Sequence, residues 1–173
     1  QIITSTGGHG TEGMQLFNPL VNAERIANGP DEWRNAVREQ FNLGADVIKV
    51  ASHFSREEIA AAVDEAHALG LKITADAETF YIQWAVEAGV DVIEHPLPRT
   101  DETIRLMAEK GTQSDPTIYP YMNIFDLYGG YYGSTSRRFT FTRESVMEMF
   151  QKLKRAGIKM GVGIDMAVDA TWP

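Results

Sequence analysis

The chain contains no cysteine, which excludes a disulfide framework, a thiolate metal ligand and a cysteine nucleophile. Any metal these residues hold must therefore be bound by histidine, carboxylate or a modified lysine. Histidine is itself sparse, at four in 173 residues, so the position of each carries weight. Cations are in deficit as well: 16 Lys and Arg face 24 Asp and Glu, a formal charge of −8. Nucleic-acid binding relies on clustered Lys and Arg, so the expected partner is a small-molecule substrate and not a nucleic acid. No run approaches the roughly 18 apolar residues that span a bilayer, and the first residues lack the basic and apolar regions of a signal peptide. These absences predict a soluble, cytoplasmic protein with no membrane partner, and they are compatible with a homo-oligomer.

What is present is a repeated unit. From Gly44 onward a helical pattern ends in a glycine that leads straight into an apolar strand, as in Ala66-His67-Ala68-Leu69-Gly70-Leu71-Lys72-Ile73 and Val86-Glu87-Ala88-Gly89-Val90-Asp91-Val92. The same junction recurs at Gly111 and Gly157. Glycine suits the left-handed position that closes a helix, and helix-to-strand connections of this kind are short. Helix starts agree with this register. Ser55 and Glu58 form a capping-box pattern ahead of Ile59, Val63 and Ala66 on one face. Thr100 precedes acidic Asp101 and Glu102, and Thr142 precedes Val146, Met149, Phe150 and Leu153. Pro30 opens a helix in which Trp33, Val37 and Phe41 are expected to share a buried face.

Strand patterns fall at about six places, near residues 1–6, 45–50, 72–77, 90–95, 112–118 and 159–165. Strands alternating with helices predict an α/β protein with a parallel sheet, either open and doubly wound or closed as a (β/α)₈ TIM-like barrel. Polar groups at the carboxyl ends of nearly every strand favour the barrel. A closed barrel needs eight strands and typically about 250 residues, so residues 1–173 are expected to form an incomplete portion of about six βα units. One stretch breaks the rhythm. Between Ile118 and Arg143 lies a long excursion carrying Tyr119, Tyr121, Phe125, Tyr128, Tyr131, Tyr132, Phe139 and Phe141. It reads either as a lid or as a subunit contact or poorly ordered segment.

Three strand-like runs end in residues capable of chemistry: Lys49 after Ala45-Asp46-Val47-Ile48, His95 after Asp91-Val92-Ile93-Glu94, and Asp165 after Met160-Gly161-Val162-Gly163-Ile164. A lysine at a buried strand end must pair with a carboxylate, lose its proton or be modified, unless its head snorkels to water. As a neutral amine it can form a Schiff base or take up carbon dioxide as a carbamate. His95 suits zinc or a related divalent ion, or else is hydrogen-bonded within its loop. Asp165 can ligate a metal and accept a proton from its water, or cap the next helix. Asp76, at the matching end of Ile73-Thr74-Ala75-Asp76, is either a fourth ligand or the partner of Lys49. His9 lies among Gly7, Gly8 and Gly10, where it can contact a ligand or merely occupy a turn. His53 is expected around the site or exposed, and His67 on the solvent side of its helix or at a helix contact.

Taken together, Thr6-Gly7-Gly8-His9-Gly10, Gly44-Ala45-Asp46-Val47-Ile48-Lys49-Val50, Asp64-Glu65-Ala66-His67, Ala88-Gly89-Val90-Asp91-Val92-Ile93-Glu94-His95, Pro116-Thr117 and Gly163-Ile164-Asp165 resemble the metal-dependent amidohydrolase superfamily. The likeness is to its imidazolonepropionase-like and Xaa-Pro or Xaa-Arg dipeptidase-like branch. The resemblance implies a barrel in which Lys49 is the fourth-strand carbamylated lysine bridging two divalent ions, zinc being the common one. It implies that His95 is the sixth-strand ligand, that Asp165 is the last-strand ligand and proton shuttle, and that His9 and Tyr119 contact substrate. The implied activity is hydrolysis of an amide or other carbon–nitrogen bond in a dipeptide-like or N-acyl amino acid substrate, by attack of metal-held hydroxide. The first-strand His-x-His pair and the flanking β-domain of that family are absent from this chain. Asp76 stands where histidine is usual, Pro96 where glycine is usual, and Ile164 where threonine is usual. Two other readings use the same residues. The Lys49 strand also resembles that of class I aldolases, in which lysine forms an imine, and a degenerate barrel fragment would bind without turnover.

Overall fold

In a computed structural model, the structure describes residues 2–4, 24–51, 53–77, 79–119, 122 and 142–163. His9, Asp165 and nearly all of the aromatic excursion after Tyr119 lie outside these residues. Six strands, β1 (Ile2–Thr4), β2 (Glu24–Ile26), β3 (Val47–Ala51), β4 (Lys72–Asp76), β5 (Val92–Glu94) and β6 (Gln113–Asp115), form one sheet in the order β2-β1-β3-β4-β5-β6. Every pair is parallel, with Lys49 opposite Thr74, Ala51 opposite Asp76, and Glu94 opposite Asp115. The sequence pattern anticipates five of these strands. It misses β2, which adds to the outer edge of β1. The expected strand over 159–165 is, within the described residues, a single parallel bridge between Met160 and Ser114.

The helices start where short polar side chains satisfy free backbone N–H groups. In α2 (Arg56–Ala68) the Ser55 hydroxyl accepts from the Glu58 amide while the Glu58 carboxylate accepts from the Ser55 amide. Thr100 caps α4 (Asp101–Lys110) and Thr142 caps α5 (Arg143–Arg155) in the same way. Proline opens α1 (Pro30–Asn42), and α3 spans Thr79–Ala88. The glycine junctions behave as expected: Gly44, Gly70, Gly89, Gly111 and Gly157 all have positive φ. One helix face differs from its sequence reading. In α1 the buried residues are Trp33, Ala36, Val37 and Gln40, whereas Phe41 is 42% exposed.

One core joins the helices to one face of the sheet. Ile48, Val50, Ile73, Ala75 and Ile93 from the strands are fully buried with Trp33, Ile59, Ala66, Ile82 and Val86 from α1, α2 and α3. Cross-strand partners share a face, so the other face carries Lys49, Thr74, Asp76, Glu94 and Asp115. Among the described residues this apolar core lies on one face only. That one-sided packing suits a barrel wall, because an open doubly wound sheet is packed by helices on both faces.

The end of the sheet remote from this polar row is fastened by Asp91. Its Oδ1 accepts from Lys72 Nζ at 2.6 Å, and its Oδ2 accepts from the Ile73 amide at 3.0 Å and lies 3.0 Å from His67 Nε2. Its own amide donates to the Ile73 carbonyl, and its carbonyl accepts from the Gln113 amide. A single residue thereby ties β4, β5 and β6 together.

Candidate active site

Two of the expected site residues meet at neighbouring strand ends. Asp76 closes β4 and His95 follows β5, with His95 Nε2 3.2 Å from Asp76 Oδ2. The imidazole is 3% exposed, and its other nitrogen, Nδ1, lies 2.8 Å from Thr117 Oγ1. The hydroxyl thus fixes the ring plane and leaves Nε2 directed at the carboxylate. This placement depends on an unusual backbone. His95 has φ 63°, a left-handed conformation that costs a side-chain-bearing residue roughly 1–2 kcal/mol. Thr117, at φ 37°, is the other such residue among those described.

The kink at His95 is held by hydrogen bonds from two elements. The His95 amide donates to the Asp115 carbonyl at 2.8 Å, and the His95 carbonyl accepts from Arg99 Nη2 at 2.7 Å. Arg99 is buried and forms no ion pair with a described residue. Its remaining contacts are with the Leu97 carbonyl, Ser114 Oγ and Met107 Sδ. Burial pushes its guanidinium down to about 10, which leaves it cationic at neutral pH.

Lys49 occupies the same sheet face as this pair. It lies directly opposite Thr74, two residues before Asp76, or about 7 Å along the strand. Its side chain is half-buried, and its chain neighbours Ile48 and Val50 are fully buried on the opposite face. Thr74 Oγ1 donates to Glu94 Oε1 at 2.6 Å, so the middle of this face is already hydrogen-bonded. Asp115, beside Glu94, holds one carboxylate oxygen buried and unpartnered. Its other oxygen lies against Gly163, where an added Cβ would come within 2.3 Å of Asp115 Oδ2. Gly163 admits the carboxylate because it has no side chain.

The remaining expected residues are placed as follows. Tyr119 is 57% exposed, two positions beyond Thr117. His53 is half-buried with its ring edge-on to Tyr81 at 5.0 Å. His67 stands in the last turn of α2, paired with Asp91 at the far end of the sheet. Among the described residues no three His, Asp or Glu side chains are grouped closely enough to hold a metal ion. The Asp76–His95 pair itself suits one: two ligands sharing a tetrahedral ion through bonds of about 2.1 Å lie about 3.4 Å apart, and the engaged Nδ1 leaves Nε2 as the donor. Sequence reading did not single out Arg99, Glu94 or Asp115. Strand alternation carries the only signal for the last two, since Glu94 and Asp115 occupy the same face as Thr74 and Asp76.

A barrel-type parallel sheet with polar residues at adjacent strand ends defines a class that the sequence comparisons name: the chain belongs to the amidohydrolase family, which it matches over residues 11–172. Ochratoxinase of Aspergillus niger is 29% identical over 162 residues, covering 82% of this chain and 33% of that protein. An uncharacterized protein of Mycobacterium tuberculosis is 34% identical over 117 residues, covering 65% of this chain and 31% of that protein. Among solved structures, an amidohydrolase superposes with a TM-score of 0.78 at 32% identity, over 96% of this chain and 47% of the other. A Xaa-Pro dipeptidase with methionine bound in its active site superposes with a TM-score of 0.77 at 25% identity, over 96% of this chain and 46% of the other. The chain spans about a third of the length of these curated relatives and about half of these solved structures. Its fold is an incomplete TIM-type barrel.

Proposed function

We propose that the protein is a metal-dependent hydrolase of an amide or related carbon–nitrogen bond in a small dipeptide-like or N-acyl amino acid substrate. The observation that carries this reading is the pairing of Asp76 with His95 at adjacent strand ends, on the face that also bears Lys49. Family membership supports the reaction class, and relatives named as a prolidase and a Xaa-Pro dipeptidase support the dipeptide-like substrate. In this reading residues 1–173 supply the third to eighth strands of the barrel: β1, β3, β4, β5, β6 and the run that bridges at Met160. β2 is an addition at the edge, and the first-strand histidine ligands and the flanking β-domain come from outside these residues.

A divalent ion such as zinc, held by these residues, would supply Lewis acidity toward the scissile carbonyl and would lower the pKa of the attacking water. His95 offers Nε2 with its ring angle set by Thr117, and Asp76 adds a negative charge to the donor set. Lys49, once its neutral amine has taken up carbon dioxide as a carbamate, contributes an oxygen donor. Asp165 accepts the proton of the attacking water and returns it to the leaving nitrogen. His9 and Tyr119 contact the substrate.

The test is elemental analysis of the full-length protein at neutral pH, together with hydrolysis of Xaa-Pro dipeptides and N-acyl amino acids. Tightly held divalent metal is expected, with turnover lost in Lys49→Ala and in His95→Ala. A metal-free protein whose turnover ignores chelators contradicts the reading. Borohydride trapping of Lys49 with a carbonyl substrate would support an imine-forming enzyme instead.

A further inference from the structure

We propose that Arg99 is a positioning residue for His95: its buried guanidinium, through the 2.7 Å hydrogen bond to the His95 carbonyl, holds the left-handed kink that turns the imidazole toward Asp76 and Thr117. The inference deepens the hydrolase reading and rests on it for its metal-binding consequence, whereas the positioning itself is a property of the protein without metal.

The argument starts from cost. A residue with a Cβ remains at φ 63° only where its surroundings over-determine that conformation. His95 is followed by Pro96, which restricts its backbone further and favours extended conformations. Its amide is fixed by β6 through Asp115 and its ring by Thr117, so the carbonyl is the group through which the peptide could still rotate. Arg99 closes that freedom from four residues downstream. A buried guanidinium with no carboxylate partner among the described residues is itself costly. Its other polar contacts are long, at 3.4–3.5 Å, which leaves the His95 carbonyl as the strong acceptor that justifies its burial. Lysine lacks the fork that spans the His95 and Leu97 carbonyls and Ser114 together.

The test uses the intact chain labelled with ¹⁵N-histidine. His9, His53, His67 and His95 give separate ring signals, and His53 and His67 serve as internal controls. In metal-free Arg99→Met with a retained far-ultraviolet spectrum, the His95 ring and amide signals should shift or broaden while those of His53 and His67 stay in place. Arg99→Lys should restore them only in part. In zinc titrations Arg99→Met should weaken binding by about 10- to 100-fold, the range for residues that orient a ligand from behind. Unmoved His95 signals in folded Arg99→Met overturn the proposal. If those signals move but the full-length protein binds no zinc, the positioning role stands and the hydrolase reading fails. Should Arg99→Met not fold, the substitution is repeated in a His95→Gly background, where glycine adopts positive φ without restraint. Recovery of folding there supports the proposal, and equal collapse overturns it.

Discussion

Replacing Asp91 should loosen the sheet end opposite the site and reveal an acid-sensitive fastening. Its carboxylate accepts from the Ile73 amide and from Lys72, lies against His67 and is 17% exposed. A backbone N–H bonded to a charged acceptor contributes about 1.5–3 kcal/mol. The Lys72 pair, with a lysine side chain 75% exposed, adds no more than about 0.5 kcal/mol after solvent screening, and the half-exposed His67 adds a similar amount. Asp91→Ala should therefore cost about 2–4 kcal/mol, and Asp91→Asn, which keeps an acceptor for Ile73, about 1 kcal/mol. Burial alone would raise the Asp91 carboxyl, but the hydrogen bonds from Lys72, His67 and the Ile73 amide outweigh it and hold the group below its ordinary 3.8. A depressed folded value means that the contribution is complete above pH 3.8 and is lost as pH falls through the folded value. Urea unfolding followed by fluorescence of the buried Trp33, at steps from pH 5 to 2.5, reads both quantities. The gap between parent and Asp91→Ala should be widest at pH 5 and shrink below pH 3.8. A gap under about 0.5 kcal/mol at pH 5, or one that stays constant down to pH 2.5, would refute the account, since a fastening of charged hydrogen bonds must exceed that size and must titrate.

Three further outcomes follow from other contacts. Gly163→Ala should destabilise the protein by about 1–3 kcal/mol because its Cβ overlaps the Asp115 carboxylate. Adding Asp115→Ala should recover most of that loss in a double-mutant cycle, and simple additivity would rule out the clash. Asp76→Ala should lower zinc affinity while Asp76→His keeps it, measured by competition with a chromophoric chelator. Equal affinity in all three proteins would remove Asp76 from the donor set. Ser55→Ala should cost about 1 kcal/mol in chemical denaturation, the value of an N-cap with its reciprocal partner.

Features set by near neighbours in the chain were legible in the sequence. Ser55, Thr100 and Thr142 cap their helices as read, because a cap is an interaction over three residues. β2 was not legible. Glu24, Arg25 and Ile26 show no alternation, and their strand conformation comes from pairing with distant Ile2, Ile3 and Thr4. Phe41 fails for a geometric reason: eight residues at about 100° each leave it about 80° off the line through Trp33, so Ala36 and Gln40 take the buried stripe. At the site, Asp76 and His95 could be read as polar residues ending apolar strands. Arg99 could not, and Thr117 was legible only within the Pro116-Thr117 motif, since the part each plays follows from the left-handed backbone at His95, which no local pattern announces.

The strand order bears on how the chain assembles. From β3 to β6 each strand hydrogen-bonds to the next in sequence, so this block can grow by accretion, each helix and strand docking on a finished neighbour with short loop closure. The exception is β1, which pairs with β3 through Ile2 and Lys49, the most widely separated register in the sheet. Contacts of low sequence separation form fastest, which makes the joining of β1 to β3 the late step, after the 47–115 block and the β1–β2 pair have each formed.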